Sequence, residues 1–386
     1  MVKQGYKQTE VGVIPEDWEV KELGELTILM TNGFVGVAKL HYTENDEGVT
    51  YIQGFNVEEN SFNYTGIKKV TRSFHLSHLR SSLKYKDLLT VQTGDVGLTT
   101  IVPKSLEGAN CHALIISRFV TGKVESKYIS YYLNSNQGRN RLKEIETGTT
   151  MKHINVGDFQ FFQIPLPPLP EQEAIAAALS DADAWIENLE QLIAKKRLIK
   201  QGAMQTLLTP KDDWEVKKLG EVVEIKRGQI ITSSVRVDGD VPVIAGGRTP
   251  AYFHNVSNRK GKTITISASG ASAGYVGFHN YPIFASDCST ISESDKYVIE
   301  FIYYFLVRNQ DLIYSFQTGG AQPHIHAKDV EPMIIGIPSL SEQERIARIL
   351  SDIDAELEAL EQQLAKARQI KQGMMQELLT GRIRLV

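Results

Sequence analysis

Several short fragments carry residue types that could do chemistry, and each lacks the spacing that chemistry requires. Gly261, Lys262 and Thr263 have the ending of a phosphate-binding loop, in which backbone N–H groups and a lysine cradle a nucleotide. The loop also needs a glycine five positions before Gly261, and Val256 stands there. PEDWEVK at 15–21 has the acids and lysine of many nuclease metal sites, but too tightly spaced, and DWEVK returns at 213–217 as a structural element. GASAG at 270–274 follows a strand-like stretch without the G-x-G-x-x-G spacing of a dinucleotide or S-adenosylmethionine site. No Asn-Pro-Pro-Tyr or Asp-Pro-Pro-Tyr segment is present to hold a flipped base. His324 and His326 lie two apart with no obvious carboxylate or cysteine set around them, so no metal is expected. We therefore expect a chain that binds, with no catalytic site of its own.

Binding residues are sought among the cations. Residues 68–86, KKVTRSFHLSHLRSSLKYK, contain Lys68, Lys69, Arg72, Arg80, Lys84 and Lys86 and no acid, and His75 and His78 add to the patch. Residues 226–262 hold Lys226, Arg227, Arg236, Arg248, Arg259, Lys260 and Lys262 against Asp238 and Asp240. The tightest part is HNVSNRKGK at 254–262, which mixes Asn255 and Asn258 with its cations. Lysine and arginine bond phosphates, while arginine reads guanine and asparagine reads adenine in the major groove. One such loop is usually a solvated surface. Two, one in each half of a repeated chain, point to duplex DNA, although a scaffold that binds protein stays open on charge alone.

The elements that must position these residues come twice. DWEVKELGEL at 17–26 returns as DWEVKKLGEV at 213–222, and TGTTMKHI at 147–154 as TGGAQPHI at 318–325. Residues 171–209 align without a gap on 342–380, with about two-thirds of positions identical. Both copies have helical seams. Ile346, Leu350, Ile353, Leu357, Leu360, Leu364 and Ala367 follow steps of four and three, the spacing of a coiled coil. Ile370, Met374 and Leu378 resume it with a shifted step, which predicts a local change of supercoil. Ile175, Leu179, Ala182, Ile186, Leu189 and Ile193 match in the first copy, after which Lys196 takes a seam position. Pro167, Pro168 and Pro170 precede one helix, and Pro338 the other, where Ser341 and Glu344 have capping-box spacing. Each helix should be on the order of 55 Å long. An antiparallel pair would act as a spacer with a globular block at each end.

The blocks read as α+β. KDLLTVQT (86–93), VPVIAGG (241–247) and GKTITISAS (261–269) alternate like strands. Residues 125–146 and 296–316 have helical spacing, with Tyr131/Tyr132 and Tyr303/Tyr304 as matching aromatic pairs that could stack on bases but at this spacing are more often core. The expected divisions are 1–166 and 211–337 for the globular blocks, and 167–210 and 338–386 for the helices.

Composition limits the rest. The chain has 386 residues, 42% hydrophobic and 23% charged, an ordinary globular balance. A net charge of −4 confines any nucleic-acid site to local basic clusters. No run of about 20 apolar residues exists, and the N-terminus lacks the apolar core of a signal peptide, so a cytoplasmic protein is expected. Cys111 and Cys288, among small or apolar neighbours, read as reduced core thiols.

EVGVIPEDWEVKELGEL, IPLPPLPEQEAIAAALSDADAWIENLEQL, KQGAMQTLLT and KQGMMQELLT resemble the specificity subunit of type I restriction-modification systems over nearly the whole chain. GIPSLSEQERI at 336–346 departs from the proline-rich form but keeps Glu342, Gln343 and Glu344. The resemblance implies two target-recognition domains, each reading half of a split DNA sequence. It implies that two long conserved helices form an antiparallel coiled coil with pseudo-twofold symmetry, and that they fix the unread gap. It implies methyltransferase subunits docked on this one, a motor-nuclease subunit that joins them, and S-adenosylmethionine, ATP and Mg held by those partners, with no cofactor here. Base-reading residues vary within the family, so the candidate DNA contacts rest on charge and loop placement.

Overall fold

The computed structural model describes residues 3–149, 152–231, 237–320 and 322–385. Packing divides the chain into two units, Met1–Asn188 with Leu364–Val386, and Leu189–Gln363. Each unit thus owns part of both long helices, Leu169–Leu207 and Leu340–Leu378.

In the first unit a four-stranded antiparallel sheet runs Thr99–Ile101, Leu88–Val91, Leu114–Phe119, Thr27–Asn32. Its two central strands, Leu88–Val91 and Leu114–Phe119, are buried on both faces, and their alternating residues enter different cores. Leu88 and Ile115 join Tyr128, Tyr132, Ile175 and Leu179 on the helical side. Leu89, Val91, Leu114 and Ile116 join Ile52, Leu83 and Val102 on the other. That side carries a three-stranded sheet in which Val49–Ile52 lies between Asn110–Cys111, parallel, and Lys68–Val70, antiparallel.

The second unit repeats this topology strand for strand. Its four-stranded sheet runs Val276–His279, Thr263–Ser267, Cys288–Ser292, Lys226–Arg227. Its three-stranded sheet sets Val241–Ile244 between Phe284–Ala285, parallel, and Tyr252–His254, antiparallel. The helical face again holds a large core, with Ile264, Ile266 and Ile291 against Phe301, Ile302 and Leu306. The opposite core is small, made of Ile244, Ile283, Ala285 and Cys288. Both cysteines are buried and free, and burial pushes the Cys288 thiol up to about 12.

The helical stretches at 125–146 and 296–316 each break in two. Ser126–Asn134 stops at Ser135, whose hydroxyl accepts from Gly138 N–H at 3.1 Å to cap Asn136–Glu144. Ile299–Arg308 stops at Asn309, before Gln310–Ser315.

Within each unit the helix segments run antiparallel. In the second, Lys200 meets Asp354 at 2.5 Å and Arg197 meets Glu361 at 2.6 Å. In the first, Lys371 meets Asp183 at 2.6 Å while Arg384, past the helix end, meets Glu171 at 2.6 Å. Ile175, Leu179, Leu189, Ile193, Ile346, Leu350 and Leu357 are buried on the seam, and Ile186, Ile353, Leu360 and Leu364 are half-buried.

Two expectations about these helices are corrected. Ile370 does not resume the seam: it is 42% exposed, and Lys371 takes the place with its side chain only 16% exposed. The step from Ala367 to Lys371 to Met374 therefore keeps the heptad, with a lysine in it. The second helix is capped by Ser339, which accepts from Glu342 and Gln343 N–H, and Ser341 lies inside the first turn.

Candidate nucleic-acid interface

The first basic cluster and the tightest part of the second fall on the same connection of the repeated fold. Residues 68–86 begin on the strand Lys68–Val70 and lead to the central strand Leu88–Val91. Residues 254–262 leave Tyr252–His254 for the equivalent central strand Thr263–Ser267. Sequence showed two basic loops, and the topology makes them one structural position used twice.

In the first unit the connection holds a helix, Arg72–Ser77, capped by the Thr71 hydroxyl, which accepts from Phe74 N–H at 3.3 Å. Lys68, Arg72 and Lys84 are exposed and without a side-chain partner among the described residues. Lys69 pairs with Asp46 at 3.6 Å, and Arg80 donates from Nε to the Thr31 hydroxyl at 3.0 Å. His75 is half-buried, with Nδ1 3.4 Å from the Asn110 amide. His78 stacks on Phe74 at 4.3 Å and meets Phe34 edge-on at 4.7 Å. Its Nδ1 lies 2.8 Å from the Phe74 carbonyl, so it buttresses this helix from within.

In the second unit the loop is knitted to the sheet. Asn258 donates to the Ala285 carbonyl at 2.9 Å and accepts from its N–H at 2.7 Å. Arg259 donates from Nε to the Thr290 hydroxyl at 3.1 Å and from Nη1 to the Asn258 carbonyl at 2.9 Å. Lys262 pairs with Glu300 at 2.6 Å, and that carboxylate raises its pKa. Asn255, Lys260 and Arg227 are exposed with no side-chain partner among the described residues. Arg248 is exposed too, its guanidinium 5.4 Å from the centre of the Tyr275 ring. Arg236 lies outside the described residues. Each connection thus combines fixed cations with free ones that can turn toward an anion.

The model of the type I restriction modification DNA specificity domain matches residues 15–196 and again residues 211–369. The chain belongs to this family. It is a type I specificity subunit with two target-recognition domains. A Methanocaldococcus jannaschii protein provisionally named the MjaX type I restriction enzyme specificity subunit is 27% identical, across 99% of this chain and 97% of its own. The StySPI type I restriction enzyme specificity subunit of Salmonella potsdam is 21% identical, across 97% and 90%. The crystal structure of the type I restriction-modification S subunit from M. genitalium superposes with a TM-score of 0.66 at 20% identity, covering 94% of this chain and 96% of that one. A chain solved in a study of complex assembly and conformational transition of the type I system gives 0.58 at 20% identity, covering 96% and 99%.

The family's Glu-Gln-Glu opening joins each helix of this specificity subunit to its recognition domain. Gln172, buried, accepts from Glu125 N–H at 2.9 Å and donates to the Pro167 carbonyl at 2.8 Å. Gln343 does the same with Val298 N–H at 2.9 Å and the Pro338 carbonyl at 3.0 Å. Glu171 accepts from Trp18 Nε1 at 2.9 Å, and Glu342 meets Lys211 at 3.3 Å. A second joint recurs further along. Tyr131 donates to Asp183 at 2.6 Å beside Lys371, and Tyr304 to Asp354 at 2.8 Å beside Lys200. The equivalent tyrosines are therefore 131 and 304, which corrects the pair-on-pair alignment by one residue. The alignment that sets Glu171 on Glu342 also sets Asp183 on Asp354 and Lys200 on Lys371, so the sequence repeat itself carries the signal of this joint. No helix among the described residues is long and apolar enough to cross a membrane.

Proposed function

We propose that each unit reads one half of a split duplex DNA target and that the chain performs no catalysis itself. The observation that carries this is the shared connection: the same loop of the same fold, in two family domains, bears unpaired cations in both units. Lys68, Arg72 and Lys84 in the first unit and Lys260 in the second suit phosphate and base-edge contacts, and Arg227 on the edge strand and Arg248 after Val241–Ile244 add exposed cations outside that connection. The paired helices set the unread gap and dock the methyltransferase subunits, and a motor-nuclease subunit completes the assembly. S-adenosylmethionine, ATP and Mg belong to those partners, and the complex acts in the cytoplasm. Helix length agrees: 39 residues at about 1.5 Å each exceed one DNA turn of about 34–36 Å.

The test is selection from random duplex DNA by the chain together with the methyltransferase subunit of its own system. Two short defined halves with a fixed gap support the reading. A stable complex that enriches no sequence rejects it in favour of a coiled-coil protein scaffold.

A further inference from the structure

The two units share a second exposed position, earlier in each unit than the basic connection. In the first unit the edge strand ends at Asn32, and Gly33 donates to the Leu114 carbonyl at 2.8 Å and Phe34 to the Cys111 carbonyl at 2.9 Å. In the second the edge strand ends at Arg227, and Gly228 donates to the Cys288 carbonyl at 2.8 Å and Gln229 to the Ala285 carbonyl at 2.9 Å. Each acceptor matches its counterpart in the sheet topology, so the two tetrapeptides, Asn32-Gly33-Phe34-Val35 and Arg227-Gly228-Gln229-Ile230, are the same structural element. A side chain at Gly33 would fall 2.6 Å from the Cys111 sulfur, and one at Gly228 would collide with the Ser286 carbonyl. Each glycine therefore lets the chain pass close to the sheet before it turns outward.

Two positions beyond each glycine, both units present a β-branched side chain to solvent. Val35 is 68% exposed and Ile230 is 63% exposed. A lone exposed aliphatic residue needs no explanation. Two β-branched ones at hydrogen-bond-matched positions, in units whose sequences otherwise differ here, do. The residue before each glycine is also exposed and has no side-chain partner among the described residues, and it is asparagine in one unit and arginine in the other. Both elements border the basic connection. Phe34 meets Phe74 edge-on at 4.9 Å and His78 at 4.7 Å, and Arg80 donates to the Thr31 hydroxyl at 3.0 Å. Arg259 Nη2 donates to the Arg227 carbonyl at 3.4 Å.

Resting on the proposed DNA-reading function, we infer that these elements are the specificity-determining tips: Asn32 with Val35 reads one half-site, and Arg227 with Ile230 reads the other. The chemistry assigns each residue a base. Asparagine presents one donor and one acceptor to adenine N7 and N6. Arginine presents two donors to guanine O6 and N7, and a β-branched side chain packs on the thymine C5-methyl group. Adjacent cations hold the phosphates on either side, and the glycine brings the tip down without a bulky neighbour.

The experiment is the same selection from random duplex DNA, run with the full chain and its methyltransferase subunit. Arg227→Ala should relax one guanine position of one half-site by about ten- to a hundredfold and leave the other half unchanged. Asn32→Arg should move the preferred base of the other half from adenine to guanine. Replacing thymine by uracil in the selected target should weaken binding by the wild type several-fold, and binding by Val35→Ser or Ile230→Ser less. All four positions are exposed, so unchanged melting temperatures are expected. If the wild type selects a split target and these variants leave both halves intact, the tips are not readers and the DNA-reading function still stands. Loss of both halves in a variant with an unchanged melting temperature also overturns the assignment. If the wild type selects nothing, both readings fall.

Discussion

Arg259 uses Nε on Thr290 and Nη1 on the Asn258 carbonyl, whereas the adjacent Lys260 is exposed with no side-chain partner among the described residues. They are neighbours in one basic run, and their physics differs. Arg259→Ala should lower stability by about 1–2 kcal/mol, because the partners it leaves are partly buried, while the salt dependence of DNA binding stays the same. Lys260→Ala should leave stability within about 0.5 kcal/mol and reduce the slope of log K against log salt by about 1. Thermal unfolding and salt titrations separate the two. Acid stability has a similarly local origin. Arg345, and then Lys211, hold the Glu342 carboxylate down to about 2 from 4.5, and Arg384 lowers that of Asp17. A folded pKa below the unfolded one gives stability that is present above about 4.5 and lost as the pH falls toward about 2. Glu342→Gln should flatten the stability–pH curve in that window, measured by urea unfolding, and leave the curve near neutrality parallel to the wild type.

The long helices show what an element can conceal from its own pattern. Apolar character made Ile370 the next seam residue at the cost of a shifted step, whereas the unbroken period falls on Lys371. Asp183 and Tyr131 reverse that choice by giving the Lys371 ammonium a carboxylate at 2.6 Å and a ring centre at 6.0 Å. Lys200 has the matching pair, Asp354 at 2.5 Å and the Tyr304 ring centre at 5.5 Å. A buried lysine is tolerated only when so partnered, and here the pairing also fixes the antiparallel register. Double-mutant cycles on Asp183/Lys371 and on Asp354/Lys200 should each return a coupling of about 1–2 kcal/mol. A coupling near zero would make the seam register a matter of apolar packing alone. At the same scale, inserting one heptad into both helices should lengthen the unread gap of the selected target and leave the two half-sites as they were. A change in the half-sites themselves would show that the helices do more than measure.

Across the whole molecule the same fold is built twice with different fillings. Leu89, Val91, Leu114 and Ile116 fill the second core of the first unit, while the corresponding core of the second unit is small and bordered by buried Thr265, Ser267 and Thr290. Equal topology with unlike surfaces predicts separable reading. Exchange of residues 211–337 for the block of another specificity subunit should replace one half of the selected target and preserve the other half and the gap. Replacement of both halves would mean that the two domains do not read independently.

The amino-acid sequence by itself determined the repeat, the two long helices, most of their seam and the family. Those features are local and periodic, and the identical runs announce them directly. The basic clusters were also legible as charge. Tertiary structure alone decided that the first cluster and residues 254–262 of the second lie on one connection of a shared topology, because strand order depends on pairings between residues far apart in the chain. It also decided which cations are free. Asn258, Arg259 and Lys262 are held by Ala285, Thr290 and Glu300, partners supplied by other strands and a helix, while Lys260 is left to solvent. Composition counts a charge, but only the fold determines what already surrounds it.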